Sequence, residues 1–181
     1  MARTSDSPRT WIALLRGVNV GGVTIRSAEL ATLFRDLGFD DVKTVLASGN
    51  VRFVSDAARA GLKQRIESAL RERFGYDAWI VLVTLGDLEK AIAGFPFDAD
   101  DPSRQPYVVF CGDDAVRAEI VAAAGSLDPE EDPVRDGPGV VYWSVEKGRT
   151  LDTPFGKLLG KARYKATTTT RNLRTLTKLV G

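Results

Sequence analysis

The residues best suited to bind an anion lie in a glycine-rich loop near the start of the chain. The loop GVNVGG covers residues 17–22, between a predicted strand that ends at Arg16 and a predicted helix. Exposed backbone N–H groups and a helix N-terminal dipole can hold a negative group in such a loop. We therefore expect Arg16, Asn19, Gly21 and Gly22 to contribute to an anion site. The alternative is a tight connection in which the glycines permit positive φ and Asn19 bonds the backbone.

This loop lacks the composition of a nucleoside-triphosphate phosphate loop. Such a loop needs a lysine before the hydroxyl residue, because the ammonium group must reach the β- and γ-phosphates. Here Val23 and Thr24 follow the last glycine. The sequence therefore excludes an ATPase of that type.

A second polar segment, Ser48-Gly49-Asn50, separates two β-rich runs and is typical of a hairpin turn. If the hairpin folds back toward the glycine loop, Ser48 and Asn50 offer a hydroxyl and an amide to the same anion. The alternative is a turn that simply requires small residues tolerant of the left-handed conformation.

The C-terminal part of the chain is strongly basic. Residues 153–181 carry seven positive charges and no acidic residue, so a whole-chain net charge of +1 leaves −6 for the remainder. The cations of this basic tail are Lys157, Lys161, Arg163, Lys165, Arg171, Arg174 and Lys178. Such asymmetry favours a phosphate-bearing partner, nucleic acid included. The alternative is internal neutralisation by the acidic loops at residues 98–101 and 128–132.

Within the basic tail, Arg171 and Asn172 are predicted to lie in the first turn of the last helix, with Thr169 or Thr170 as N-cap. An arginine fork and an amide beside N–H groups of a helix start could grip a phosphate or carboxylate. Alternatively, Arg171 pairs with a carboxylate of this chain. The apolar stripe of that helix is predicted at Leu173, Leu176 and Leu179 or Val180.

The composition excludes several kinds of catalytic site. The chain has no histidine and one cysteine, Cys111, which lies in an apolar run typical of a buried strand. No histidine-assisted nucleophile and no zinc site of the usual histidine and cysteine kind can therefore form. Catalysis would have to use carboxylates, lysine, tyrosine or a cofactor. The sequence indicates no cofactor or metal and leaves open whether the protein is an enzyme.

The predicted elements that position the loop and the hairpin follow the order strand, helix, strand, strand, helix, strand. The strands are predicted at residues 11–16, 42–47, 51–54 and 79–84, and the helices run from Ser27, as N-cap, to Gly38 and from 57 to 74. This order is that of a ferredoxin-like fold, in which two helices cover one face of an antiparallel sheet.

A second passage repeats much of this pattern. It predicts helices at residues 87–93 and 114–124, strands at 107–111, 133–135 and 140–145, and a last helix after Thr170. We therefore predict an α+β protein of two tandem β-α-β-β-α type subdomains packed together. Residues 1–10 form a flexible lead, 11–94 the ferredoxin-like subdomain and 95–181 the second subdomain with its basic helix. The Pro-rich, acidic loop at residues 95–102 is the expected hinge.

Three phrases indicate a family. They are LLRGVNVGG at residues 14–22, ASGNVRF at 47–53 and TRNLRT at 170–175. Together they resemble the bacterial family known as domain of unknown function 1697, although Leu173 stands where its members often carry an aromatic residue. The resemblance implies a pair of α+β subdomains, the first ferredoxin-like, and implies no function.

Composition places the chain among ordinary globular proteins, with 44% apolar and 27% charged residues. It shows neither a spanning apolar run nor a secretory signal, so we expect a cytoplasmic protein. Our leading hypothesis is the binding of a small phosphorylated or nucleotide-like anion between the two halves. The alternatives are nonspecific nucleic-acid binding through the basic tail and an interaction or assembly module without catalysis.

Overall fold

The protein is described by a computed structural model that covers residues 7–18, 24–46, 49–75 and 77–181. The chain forms two compact units, Met1–Gly86 and Asp87–Gly181. Each unit contains a four-stranded antiparallel sheet. The Pro-rich loop at residues 95–102 lies within the second unit.

The first unit has the predicted order of elements. Its strands and helices are β1 (Arg9–Arg16), α1 (Ser27–Asp36), β2 (Asp40–Thr44), β3 (Asn50–Ser55), α2 (Arg59–Phe74) and β4 (Trp79–Thr84). The strands lie in the order β2-β3-β1-β4. The predicted hairpin is confirmed, because β2 and β3 pair antiparallel on either side of residues 45–49.

Strand β1 is central because its side chains are apolar on both faces. Every residue from Trp11 to Leu15 is buried. Helix α2 packs Leu62, Ile66 and Leu70, spaced one helical turn apart, into the same core. Burial of each such side chain contributes about 1.5–3 kcal/mol. The helix ends where Gly75 adopts a left-handed φ of 68°, the usual C-terminal device.

The start of α1 differs by one residue from the prediction. Its N-cap is Arg26, and Ser27 is the first helical residue. The backbone N–H of Arg26 donates to the side chain of Glu29 at 3.2 Å. This contact fixes the register of the helix, since Glu29 lies at the position from which a side chain reaches back to the N-cap.

The second unit repeats the topology of the first. Helix α3 (Leu85–Ala93) begins two residues before this unit and lies mostly within it. The elements that follow are β5 (Arg104–Cys111), α4 (Asp114–Ala124), β6 (Val134–Gly137), β7 (Val140–Glu146), α5 (Pro154–Leu159), a 3-10 turn (Ala162–Tyr164), β8 (Thr168–Asn172) and α6 (Leu173–Val180). The strand order β6-β7-β5-β8 matches β2-β3-β1-β4 position by position. The expected duplication of topology is therefore confirmed, and β8 is the counterpart of β4.

A buried carboxylate, that of Asp132, bonds two residues of the apolar core of the second unit. Asp132 is 3% exposed and accepts hydrogen bonds from the Trp143 indole N–H at 2.9 Å and from the Phe155 backbone N–H at 3.0 Å. The Trp143 and Phe155 rings meet edge to face, with centroids 5.1 Å apart. The carboxylate thus joins the segment before β6 to the first turn of α5. Its negative charge also interacts favourably with the positive N-terminal end of the helix dipole.

Candidate functional site

Arg16 lies at the end of β1, opposite Trp79 of β4. Its side chain is half-buried, and this burial lowers the pKa of the guanidinium group by desolvation. The next residue, Gly17, has a φ of 85°, so the chain turns away sharply where the strand ends. Arg16 therefore lies beside a glycine turn, and its contribution to an anion site stays a prediction.

The hairpin turn lies against the same end of β1. The Leu15 N–H donates to the Gly49 carbonyl at 2.9 Å. Gly49 has a φ of 73°, and a Cβ on it would lie 3.1 Å from Cγ2 of Val18. Val18 of the glycine loop and Gly49 of the hairpin turn therefore lie close together.

Asn50 holds this turn together. It is fully buried, and its side-chain amide donates to the Val45 carbonyl at 3.0 Å. The Val45 N–H donates in turn to the Asn50 carbonyl at 3.0 Å. These bonds agree with the turn interpretation of Asn50 and place its amide at the base of the hairpin. Four other predicted site residues lie outside the described residues: Asn19, Gly21, Gly22 and Ser48.

The prediction that Arg171 lies in the first turn of a helix is wrong, as are Thr169 and Thr170 as its N-cap. Residues 168–172 form β8, because a run of β-branched threonines pairs with β5, Thr170 opposite Val109. Arg171 is only 8% exposed. Its guanidinium donates to the Thr169 hydroxyl at 2.6 Å and to the Thr170 carbonyl at 3.0 Å. Arg171 therefore lies in a sheet edge and does not share a helix face with Arg174.

Asn172 is the true N-cap of the last helix. Its side-chain oxygen accepts from the Arg174 N–H at 2.9 Å, and its amide donates to Gln105 at 2.8 Å. The predicted apolar stripe is confirmed, since Leu173, Leu176 and Leu179 are buried. Asn172 thus has a structural role within the second unit. A single site that joins it to the glycine loop stays a prediction.

The second unit contains a counterpart of the β1 end. The Cys111 N–H donates to the Gly139 carbonyl at 3.1 Å, just as Leu15 does to Gly49. There the helix start is filled by a carboxylate of the chain, because Asp113 accepts from Ala115 N at 2.7 Å and from Val116 N at 3.3 Å. The helix start beside the end of β5 therefore has its N–H groups occupied and does not offer them to an anionic ligand.

The nearby cation in the second unit is also neutralised. Arg117 forms ion pairs with Asp136 and with Asp114. Its hydrogen bond to Asp136 is the main cause of the raised pKa of its guanidinium, and the bond to Asp114 adds to it. Burial raises the pKa of the adjacent Cys111 thiol to about 12, which agrees with a core cysteine and not a nucleophile. In the part of the chain that the structure describes, the first unit has this turn geometry next to the half-buried Arg16, whose pKa is lowered by burial.

Most of the basic tail is exposed. The cations at the surface are Lys157, Lys161, Arg163, Lys165, Arg174 and Lys178. Arg163 pairs with Glu119. The acidic loops are used locally: Asp98 accepts from Asp100 N at 2.9 Å, and Asp101 accepts from Ser103 N at 2.8 Å. Over residues 7–18, 24–46, 49–75 and 77–181, no ion pair joins these loops to the tail.

Sequence reasoning missed Asp132. No pattern distinguishes it from the three acidic neighbours in its loop, and only the fold shows that it is buried. Among the described residues, no group of histidine, cysteine, aspartate and glutamate could hold a metal ion. None of the helices in that same part of the chain has the length and apolar character needed to cross a membrane.

The structure defines an α+β protein of two topologically repeated units, with a half-buried arginine at one strand end. The chain belongs to the family described as protein of unknown function (DUF1697), whose sequence model matches residues 9–142. It is similar in fold to a conserved bacterial protein from Streptococcus pneumoniae, with a TM-score of 0.79 and 24% identity over 96% of this chain and 98% of the other. No curated protein matches it.

Proposed function

We propose that the chain binds a small phosphorylated or nucleotide-like anion at the end of β1. The observation that carries this proposal is the half-buried guanidinium of Arg16, which lies where β1 ends beside the Gly49 turn. A guanidinium fork binds phosphate oxygens bidentately, and such contacts strengthen where water is excluded. We assign further hydrogen-bond donors to the site because they are close in sequence to Arg16 or Gly49. They are Asn19, Gly21, Gly22 and Ser48.

The contrast between the two units supports this assignment. In the second unit, the Asp113 carboxylate caps the helix that follows the equivalent strand end. In the first unit, the residue at that cap is Arg26, and the carboxylate at that helix start is the side chain of Glu29, which accepts from the Arg26 N–H. The end of β1 differs from its counterpart in carrying the half-buried guanidinium of Arg16, and this positive charge favours an anionic ligand.

A thermal-shift titration with inorganic phosphate, pyrophosphate and a nucleoside monophosphate tests the proposal. We expect at least one anion to raise the Tm of the wild type, and Arg16→Gln to lose most of this rise. Arg9→Gln is the matched control, because it removes the same charge from the exposed start of the same strand. Equal shifts in the wild type and in Arg16→Gln would refute the assignment to this strand end.

A second candidate function, nonspecific nucleic-acid binding, is favoured by the exposed cations of the basic tail. Arg174 and Lys178 are four residues apart on α6, and both are exposed. The double variant R174A/K178A should bind duplex DNA more weakly and with a shallower salt dependence than the wild type. The control K90A/K147A removes two exposed lysines of the same unit outside the tail. DNA affinity that does not fall as salt rises would dismiss this function.

The interaction-module alternative has less support. The large hydrophobic residues exposed in the described part of the chain are Leu46 at 47% and Leu151 at 81%. Scattered single residues of this kind are normal at a protein surface and do not make a docking patch.

A further inference from the structure

Strand β4 has the composition of a segment that pairs readily with other chains. Its sequence, WIVLVT, contains no charge, no proline and no glycine. It is also an edge strand, because only β1 pairs with it in the order β2-β3-β1-β4. An apolar edge strand of six residues is a template for pairing with another strand unless the protein protects it.

The backbone groups of β4 that face away from β1 are those of alternate residues. Leu15 directs its N–H to Gly49, on the β3 side of β1. Its partner across the β1–β4 ladder is Ile80, so this pair is not hydrogen-bonded. The N–H and carbonyl of Ile80 therefore point outward from the sheet, as do those of Leu82 two residues on.

Two side chains of α2 occupy the outward groups of Ile80. The Lys63 ammonium donates to the Ile80 carbonyl at 2.9 Å, and the Ile80 N–H donates to the Glu67 carboxylate at 3.0 Å. Lys63 and Glu67 also pair with each other one turn apart on the helix. One donor and one acceptor thus bind Ile80 as a neighbouring strand would.

The other edge strands are protected in different ways. The register of β2 shifts between Asp40 and Lys43. Strand β6 has only four residues and includes Arg135 and Asp136, and β8 carries Arg171. Bulges, short length and charge each discourage strand pairing. Strand β4 has none of these features, and among the described residues Lys63 and Glu67 are the side chains that bond the outward backbone groups of Ile80.

We infer that the Lys63–Glu67 pair prevents β4 from pairing with β4 of a second copy of the chain. A strand can pair with itself antiparallel about a two-fold axis, the commonest symmetry of protein dimers. Without the two side chains, the outward groups of Ile80 and Leu82 can bond the same residues of a second copy. The two sheets then become one continuous sheet.

The double variant K63A/E67A tests this inference by sedimentation velocity over a wide range of protein concentration. We expect a concentration-dependent shift toward the sedimentation coefficient of a dimer that the wild type does not show. The control R71A/D77A removes an ion pair between α2 and the segment that precedes β4, whose N–O distance is 3.0 Å, and changes no residue of β4. It should sediment like the wild type.

Hydrogen exchange provides the second measurement. In dilute K63A/E67A, the Ile80 amide should exchange faster than in the wild type, and raising the concentration should restore its protection. If the double variant does not fold, Lys63→Met retains the aliphatic stem and should show the same changes to a smaller degree. A variant with faster Ile80 exchange and unchanged sedimentation would overturn the inference, as would unchanged Ile80 exchange.

Discussion

Leu15 donates its backbone N–H to the Gly49 carbonyl over 2.9 Å, and this bond joins the end of β1 to the turn between β2 and β3. The same relationship recurs between Cys111 and Gly139 over 3.1 Å in the second unit. Each glycine has a left-handed φ, 73° for Gly49 and 71° for Gly139. The two units therefore use one backbone arrangement at this strand end.

Gly49→Ala should destabilise the protein more than Gly139→Ala does. The left-handed backbone costs each alanine about 1–2 kcal/mol. At Gly49 the new Cβ would also lie 2.9 Å from Cβ of Leu15, whereas at Gly139 it meets nothing within 4 Å. We expect a total loss of roughly 2–4 kcal/mol for Gly49→Ala, because overpacking adds to the backbone cost. Urea unfolding measures both, and equal losses would show that the close approach to Leu15 is absent.

Asn172→Ala should destabilise α6 because it removes both the cap and the bond to Gln105. We expect a loss of about 2 kcal/mol, shared between the cap and the side-chain hydrogen bond. Asn172→Asp retains the acceptor for the Arg174 N–H and loses only the donor to Gln105, so it should recover the cap contribution. Unfolding free energies test this order. An Asp variant no more stable than the Ala variant would contradict the capping role.

Asp132→Asn should be strongly destabilising although it preserves shape. The carboxylate accepts from Trp143 on one oxygen and from Phe155 on the other. An amide offers one oxygen, so one buried donor loses its acceptor at a cost of about 3 kcal/mol. Asp128→Asn, at an exposed position of the same loop, should change the unfolding free energy by less than about 0.5 kcal/mol. Similar changes in unfolding free energy for the two substitutions would mean that the bond from Asp132 to α5 does not stabilise the fold.

Cys111 should make stability fall at alkaline pH. Burial raises the pKa of its thiol from an ordinary 9.0 to about 12. The unfolded chain therefore loses this proton first, and the contribution present below pH 9.0 is lost as pH rises toward 12. Cys111→Ala should reduce the decline of the unfolding free energy across this window. Identical pH profiles of variant and wild type would show that the thiol titrates normally when folded.

Element order was predictable from periodicity because β1, α2 and β4 have unambiguous apolar patterns. Strand β8 could not be predicted in this way, because the sequence TTTR before an apolar helix resembles an N-cap followed by the first turn of the helix. Tertiary pairing with β5 decides between the two, and it makes residues 168–172 a fourth strand that the sequence analysis did not predict. Local capping signals are weak compared with a whole ladder of backbone hydrogen bonds.

The candidate site was predictable in part. Arg16 and Asn50 stood out because they flank glycine turns, and the structure brings those turns together at Leu15 and Gly49. The role of Arg171 could not be predicted from its neighbours, because its local sequence is compatible with a buried arginine in a strand and with an exposed arginine in a helix. Lys63 and Glu67 gave only the signal of an ordinary helix pair.

Amide chemical-shift mapping of the wild type with a nucleoside monophosphate tests the central claim most directly. The proposed site predicts that the perturbed amides cluster at Leu15, Arg16, Gly17 and Gly49, and that Arg16→Gln weakens binding at least about tenfold, or 1.4 kcal/mol. Perturbations confined to α6 and the basic tail, with affinity unchanged in Arg16→Gln, would contradict it.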